Sequence, residues 1–355
     1  MKILKRLLVV MMVVVMAVSA AGCGGSKTKG DSGTNEDTKG KVYNWKLGTI
    51  YNDPVGRPDF NSFGQTAKKF VDLVNEKSGG RIVIKAYYGS VLGASGELFE
   101  QLRRGVLEVF YGQPMATVDP RFGVWSVPYI FSDTEQVKKL MANPEGPLFK
   151  MFQEWMREYN VELISCDEAV FRGFFNTKHP VKKVSDLRDL KVRIYEDPVV
   201  NLFWKDICNA VSMPYSEVYT GLQTKAIDGL EFADSSVVSS KYYELGKYFT
   251  DINWQWTSGG NICIGKKYWD ELPEDLKKIV TECAWEASAF YSTEHEKEVA
   301  EAQKILKEKG VEVINLTDAE RKEWVDYARS LDEQMRNAVG PETFDAVLKV
   351  IKESK

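Results

Sequence analysis

One arginine stands where a charge is costly. Arg193 lies in an otherwise apolar strand, between Val192 and Ile194, and an ionised side chain there requires a partner. Its guanidinium is a planar fork that matches a carboxylate through two parallel hydrogen bonds, a geometry lysine does not reproduce. That carboxylate can belong to the protein, as a buried salt bridge, or to a ligand. Catalytic chemistry leaves no comparable trace. Of the two histidines, His179 precedes Pro180 in a loop and His295 falls in a polar helical stretch, neither with a metal-ligand partner at useful spacing. The patterns HExxH, GxSxG, GxxxxGK[ST] and GxGxxG are absent. Carboxylate pairs such as Asp167-Glu168 are ordinary surface chemistry. Neither an enzyme, nor a metal, nor a cofactor is expected.

Trp254 and Trp256, beside Gly259-Gly260-Asn261, can line one wall of a pocket and stack on the carbon face of a sugar or on an aromatic ring. They can equally pack between domains. Cys166, Cys208, Cys263 and Cys283 are far apart and form no CxxC pair. Disulfides and buried free thiols both remain open for them.

The N-terminus decides the compartment. Lys2, Lys5 and Arg6 precede an apolar run from Leu7 to Val18, and small residues lead to Cys23. That layout is a secretory signal, and the run is too short to span a membrane. Ala20-Ala21-Gly22-Cys23 resembles the lipobox of bacterial lipoproteins, which implies cleavage before Cys23 and lipid on its sulfur; an ordinary signal with an incidental cysteine is the alternative. Two acyl chains would make such an attachment stable. Residues 24–40 are polar, glycine-rich and free of apolar side chains, the composition of a flexible tether.

About 315 residues follow, beyond the size at which a single core usually keeps growing, so two domains are expected. The formal net charge of -4 is spread through mixed acids and bases, which excludes a nucleic-acid footprint. Asn61 or Ser62 can cap a helix carrying Phe63, Ala67, Phe70, Val71 and Val74, ended by Gly79-Gly80. Arg81 to Tyr88 alternates as a strand. A second helix carries Leu98, Leu102 and Val106, and Leu107 to Tyr111 is again a strand. This succession points to a mainly parallel sheet flanked by helices. It restarts with strands at Val161 to Ser165, Phe171 to Phe175 and Leu190 to Tyr195, a helix over Asn201 to Ala210, a helix capped by Ser216, and a strand at Ile227 to Phe232. Pro273 to Lys309 has no internal glycine or proline. It reads as one helix roughly 50 Å long, or as two with a break. Its middle, Ser292 to Glu298, reads as polar all round, as for a helix crossing between two bodies.

Gly89-Ser90-Val91-Leu92-Gly93, Glu100-Gln101-Leu102, Gly105-Val106-Leu107-Glu108, Val127-Pro128-Tyr129-Ile130-Phe131, Asp186-Leu187 with Leu190-Lys191-Val192-Arg193, and Tyr215-Ser216-Glu217-Val218-Tyr219 with Ile227-Asp228-Gly229-Leu230-Glu231 occur in this order. The series resembles the solute receptors of tripartite ATP-independent periplasmic (TRAP) transporters, of DctP type, from about Val42 to Gly310. The resemblance implies an α/β, two-domain periplasmic-binding-protein-like fold with crossing strands and a long linking helix. The division it implies is a signal over 1–22 and a tether over 23–41. One domain takes 42–168 plus about 256–292, the other 169–255 plus about 293–355, and helix 273–309 is shared. It also implies that ligand closes the cleft and that the closed form docks on two integral-membrane subunits.

Site residues follow from the same resemblance. It places the carboxylate-binding arginine at Arg193 and a second arginine at Arg172, which can otherwise be a solvated strand residue. Tyr215 takes the place of a ring against the ligand, or packs in the core. Gln113 stands where sialic-acid receptors have glutamate, and Phe232 where many have asparagine, which argues against a nine-carbon sugar acid. The expected ligand is a small monocarboxylate such as a hexuronate, bound by an extracytoplasmic, lipid-anchored monomer with Trp254 on the pocket wall. An ABC-type solute-binding lipoprotein or a surface sensor is the alternative.

Overall fold

The computed structural model describes residues 40–55, 60–168, 170–257 and 259–354. Cys23, the signal and the tether up to residue 39 lie outside the described residues.

Period-two alternation builds the first strands. In β1 (Tyr43–Thr49), Tyr43, Trp45 and Leu47 are buried while Asn44 and Lys46 are exposed, and β2 (Ile82–Tyr87) buries Ile82 and Ile84 in the same way. β3 (Val109–Gly112) and β4 (Val161–Cys166) are buried throughout, the pattern of strands covered on both faces. Next come β5 (Val170–Phe171), β6 (Gly173–Asn176), β7 (Lys191–Ile194), β8 (Asn209–Ser212), β9 (Gly229–Phe232) and β10 (Tyr248–Asp251). The last three are β11 (Trp256–Thr257), β12 (Asn261–Gly265) and β13 (Glu312–Asn315).

Two sheets result, ordered β2-β1-β3-β12-β4 and β13-β10-β6-β9-β7-β8. Each has one strand running against the rest. In the first it is β12, antiparallel to both β3 and β4; in the second it is β6, antiparallel to β9 and β10. These are the strands that have just come over from the other sheet. The parallel strands end at the cleft between the sheets, so a strand entering from across that cleft must run away from it. The two crossings also pair with each other, β5 with β11, as a short antiparallel ribbon.

The third crossing is the helix Glu274–Glu308, 35 residues without a break, about 52 Å long. Pro273 stands at its N-cap and Gly310, at φ 76°, just beyond its end. Its middle, Ser292 to Glu298, is polar in sequence but not exposed all round. Tyr291 is wholly buried and His295 is nearly so, because α1 (Ser62–Lys77) packs along the same helix. Asn61 caps α1 by accepting from the Gly64 amide at 3.3 Å. Ala67, Phe70, Val71 and Val74 form its buried face.

Several local expectations give way to tertiary pairing. The helix expected over Asn201 to Ala210 is Pro198–Trp204, started by Asp197, which accepts from the Val199 and Val200 amides at 2.8 and 3.2 Å. The last two residues of that stretch, Asn209 and Ala210, belong instead to β8, drawn into parallel register with β7. The single strand expected from Phe171 to Phe175 is divided at Arg172 between the crossing ribbon and the second sheet. Ser216 caps nothing: Tyr215–Glu217 is a 3-10 turn leading into the helix Val218–Gln223, with no side-chain cap on either. The helix Ser95–Arg103 stops before Val106, because Gly105 turns left-handed at φ 66°. The four described cysteines are free thiols. No helix among the described residues is long and apolar enough to cross a membrane.

Candidate functional site

The parallel strands of both sheets end at one cavity of about 620 Å³. This is the crevice at strand carboxyl ends where open α/β sheets take ligands. Tyr51 follows β1, Gln113 follows β3, Tyr195 follows β7, and Phe232 ends β9; all four line it. Arg172 and Gly259, on the two crossing segments, complete the wall.

Arg193 sits on β7 between two core residues, so its side chain takes the opposite face and reaches the cavity. It is 4% exposed. Its Nε donates to the Met213 carbonyl at 3.0 Å, and Nη1 lies 3.8 Å from Oε1 of Glu231. Arg172, at the division between β5 and β6, donates through Nε to the Glu231 carboxylate and through Nη2 to the Glu231 carbonyl at 2.9 Å. Glu231 is wholly buried on β9. The three groups therefore form a row across β7, β9 and β6, with one carboxylate held between two guanidiniums. Burial works against the charge on Arg193 and Glu231 works for it. Burial likewise pushes the Glu231 carboxyl up, while both arginines pull it down.

Aromatic rings hold this row in place. The Arg172 guanidinium lies 5.2 Å from the Phe232 ring centre and 5.4 Å from that of Tyr195. Phe232 stacks at 5.8 Å on Tyr215, whose hydroxyl meets Ser240 Oγ at 3.0 Å. On the first-sheet wall, Tyr51 and Phe63 stack at 4.3 Å, within 10° of parallel.

Arg193, Arg172, Gln113, Tyr215 and Phe232 thus meet at one cavity. Trp254 does not. Its indole is wholly buried, stacked on Phe203 at 4.9 Å and edge-on to Trp204. Its contribution is from behind: its amide donates to the Arg172 carbonyl at 3.1 Å, and the Arg172 amide donates to Gln255 O at 2.9 Å. Trp256 is likewise core, edge-on to Phe131 at 4.9 Å. The segment is apolar because the ribbon that carries Arg172 must be anchored in the core.

Four polar residues take roles that their local sequence does not show. Glu231 carries the signal that exposed Arg193, a lone charge in an apolar strand. Asp167 and Glu168 are not surface chemistry, at 0% and 3% exposed; Glu168 pairs with Lys138 at 3.2 Å. His295 lines the cavity and stacks on Tyr291 at 5.2 Å. Among the described residues no cluster of three or more candidate metal ligands occurs.

The pattern of bacterial extracellular solute-binding protein family 7, the DctP family, matches residues 57–337. The chain belongs to that family. This DctP-family protein is 32% identical to the 2,3-diketo-L-gulonate-binding periplasmic protein of Escherichia coli, over 76% of this chain and 81% of the relative. It superimposes on the sugar acid binding protein of Advenella mimigardefordensis in complex with galactonate, with a TM-score of 0.80, 26% identity, and coverage of 89% of this chain and 99% of the other. A TRAP periplasmic solute-binding protein of Chromohalobacter salexigens with bound D-glucuronate gives 0.79 at 26% identity, covering 88% and 100%. The DctP-family protein described here is an extracytoplasmic TRAP solute receptor with the two-domain periplasmic binding protein fold.

Proposed function

We propose that this receptor captures a small organic monocarboxylate of the sugar-acid kind in the cleft and hands it to integral-membrane TRAP subunits. The observation that carries the reading is the row Arg193–Glu231–Arg172. Two fixed cations and one buried anion leave a single positive charge, which suits one carboxylate. Glu231 occupies Arg172, so the outer nitrogens of Arg193 are the fork offered to ligand. Among the described residues, the other carboxyl and imidazole groups on the wall are those of Glu97, Glu196, Glu298 and His295. A second carboxylate on the ligand would meet acids there, at a cost of several kcal/mol. Stacked rings on opposite walls suit the carbon faces of a sugar acid, in keeping with the galactonate and D-glucuronate found in structural relatives.

The protein does no chemistry on its ligand in this reading; it acts as a monomer of two domains that close on it. Lipid on Cys23 ties it to the outside of the cell membrane, and Arg172, Gln113, Tyr215 and Phe232 position the acid that Arg193 holds. A thermal-shift screen of the body from Lys41 tests the ligand class. Monocarboxylate sugar acids should raise Tm, by about 2.7 kcal/mol of stabilisation at a hundredfold excess over Kd, and C4-dicarboxylates should not. Stabilisation by dicarboxylates or neutral sugars alone overturns the reading. Mass spectrometry of the membrane fraction tests the anchor, with loss of the lipid in Cys23→Ser.

A further inference from the structure

The three crossings between the sheets meet at one side chain. Asp167 is the first residue after β4, at the start of the first crossing. Its amide donates to the Gly260 carbonyl of the second crossing at 2.8 Å. Its carboxylate accepts from the Tyr111 hydroxyl at the end of β3, and beside it the Ser288 hydroxyl of the long helix, the third crossing, donates to Ser165 Oγ on β4 at 3.0 Å. Space there is tight: a Cβ on Gly260 would overlap both the Asp167 carboxylate and the Tyr111 hydroxyl. Yet Oδ1 of this wholly buried carboxylate has no hydrogen-bond partner. Gly259, next in the same crossing, accepts from the hydroxyl of Tyr51, which lines the cavity. One acid therefore couples both crossing strands and the long helix to a ring on the ligand wall.

We propose that Asp167 is the hinge residue of this receptor: protonated it favours the closed, ligand-holding arrangement, and ionised it favours opening. An ionised carboxylate with an orphan oxygen is costly while buried, and opening the crossings admits water to it. Burial pushes its pKa up to about 7, the Tyr111 and Ser288 hydroxyls pull the other way, and Glu168 adds to the rise. The groups facing it from the packed elements are Tyr51, Tyr111, Tyr291, Cys166 and Glu168. Burial raises the three phenols and the thiol, which are neutral at pH 5–8, and Glu168 is paired with Lys138 at 3.2 Å.

The sign follows from linkage. An acid whose pKa is higher in the closed state is protonated there and loses its proton on opening. Closure is therefore favoured at low pH, weakens as pH rises from the ordinary carboxylate range to about 7, and is flat above. Affinity can fall by up to about tenfold per pH unit in that window.

The experiment is calorimetric titration of the full receptor with D-galactonate and D-glucuronate from pH 5 to 8.5, on the wild type, Asp167→Asn and Tyr111→Phe. Affinity should fall at least tenfold between pH 5 and 7 in the wild type and stay level in Asp167→Asn. Tyr111→Phe removes a donor to the ionised form and should move the break above its wild-type position. A level wild-type profile, a slope that survives Asp167→Asn, or an unmoved break in Tyr111→Phe each overturns the proposal. The binding arm rests on the sugar-acid reading, and the second arm does not. If neither acid binds the folded wild type at any pH, that reading fails. The hinge is then judged by hydrogen exchange of the ligand-free protein at the Asp167 amide. Its rate relative to Asp167→Asn at the same pH should rise from pH 5 to 8, and a constant ratio overturns the proposal.

Discussion

Replacing Arg193 by alanine separates ligand recognition from folding. In the folded protein one of its donors is committed, Nε to the Met213 carbonyl at 3.0 Å. Nη1 is 3.8 Å from Glu231, too long for a hydrogen bond, so both outer nitrogens are available to a ligand carboxylate. Two charge-assisted bonds at about 1.5–3 kcal/mol each set a loss of about 3–6 kcal/mol. That is a fall in affinity of about 10²- to 10⁴-fold. Arg193→Lys keeps the charge and loses the fork, so it should recover no more than about half of that free energy. The fold should survive, because Glu231 keeps both of its contacts to Arg172. The stability lost is about 1–2 kcal/mol for the bond to Met213. Calorimetry with the best acid from the screen measures the affinity, and thermal unfolding of the same samples measures the fold. A loss of less than tenfold in Arg193→Ala, with normal unfolding, would refute the assignment of the fork to the ligand.

Arg172→Ala should behave differently, lowering stability by about 3–5 kcal/mol, since it strips the partner from a wholly buried carboxylate; urea unfolding at pH 7 checks this, and an unchanged midpoint contradicts it. Trp254→Ala should destabilise by about 3–5 kcal/mol through the cavity left against Phe203 and Trp204, while the folded fraction retains affinity within about tenfold. Asp167→Asn should raise Tm relative to the wild type by more at pH 8 than at pH 5. The raised carboxyl costs stability as the unfolded chain loses its proton while the folded protein keeps it, a cost that builds between the unfolded value and about 7; equal Tm differences at both pH values would contradict it.

The sequence alone was enough for elements whose residues carry their own instructions. The helix Glu274–Glu308 is written in an uninterrupted run of helix formers between Pro273 and Gly310, and α1 in its apolar face and its Asn61 cap. Arg193 was visible because a charge among Val192 and Ile194 is anomalous whatever surrounds it. Partnership was decided only by tertiary structure. Nothing local to Glu231 says that it lies between Arg172 and Arg193, since the three are brought together by strand order β7-β9-β6, a pairing of segments distant in the chain. The same is true of β8, whose first two residues read as the end of a helix and become strand because β7 offers them an edge. Trp254 is open to either role in the sequence, because an aromatic beside glycines serves a ligand or a core, and only its burial against Phe203 chooses between them. Asp167 followed the rule that exposed acids are common. Three crossings converging on it from β4, Gly260 and Ser288 bury it, and convergence of that kind is a property of the chain's path through space rather than of any stretch of residues.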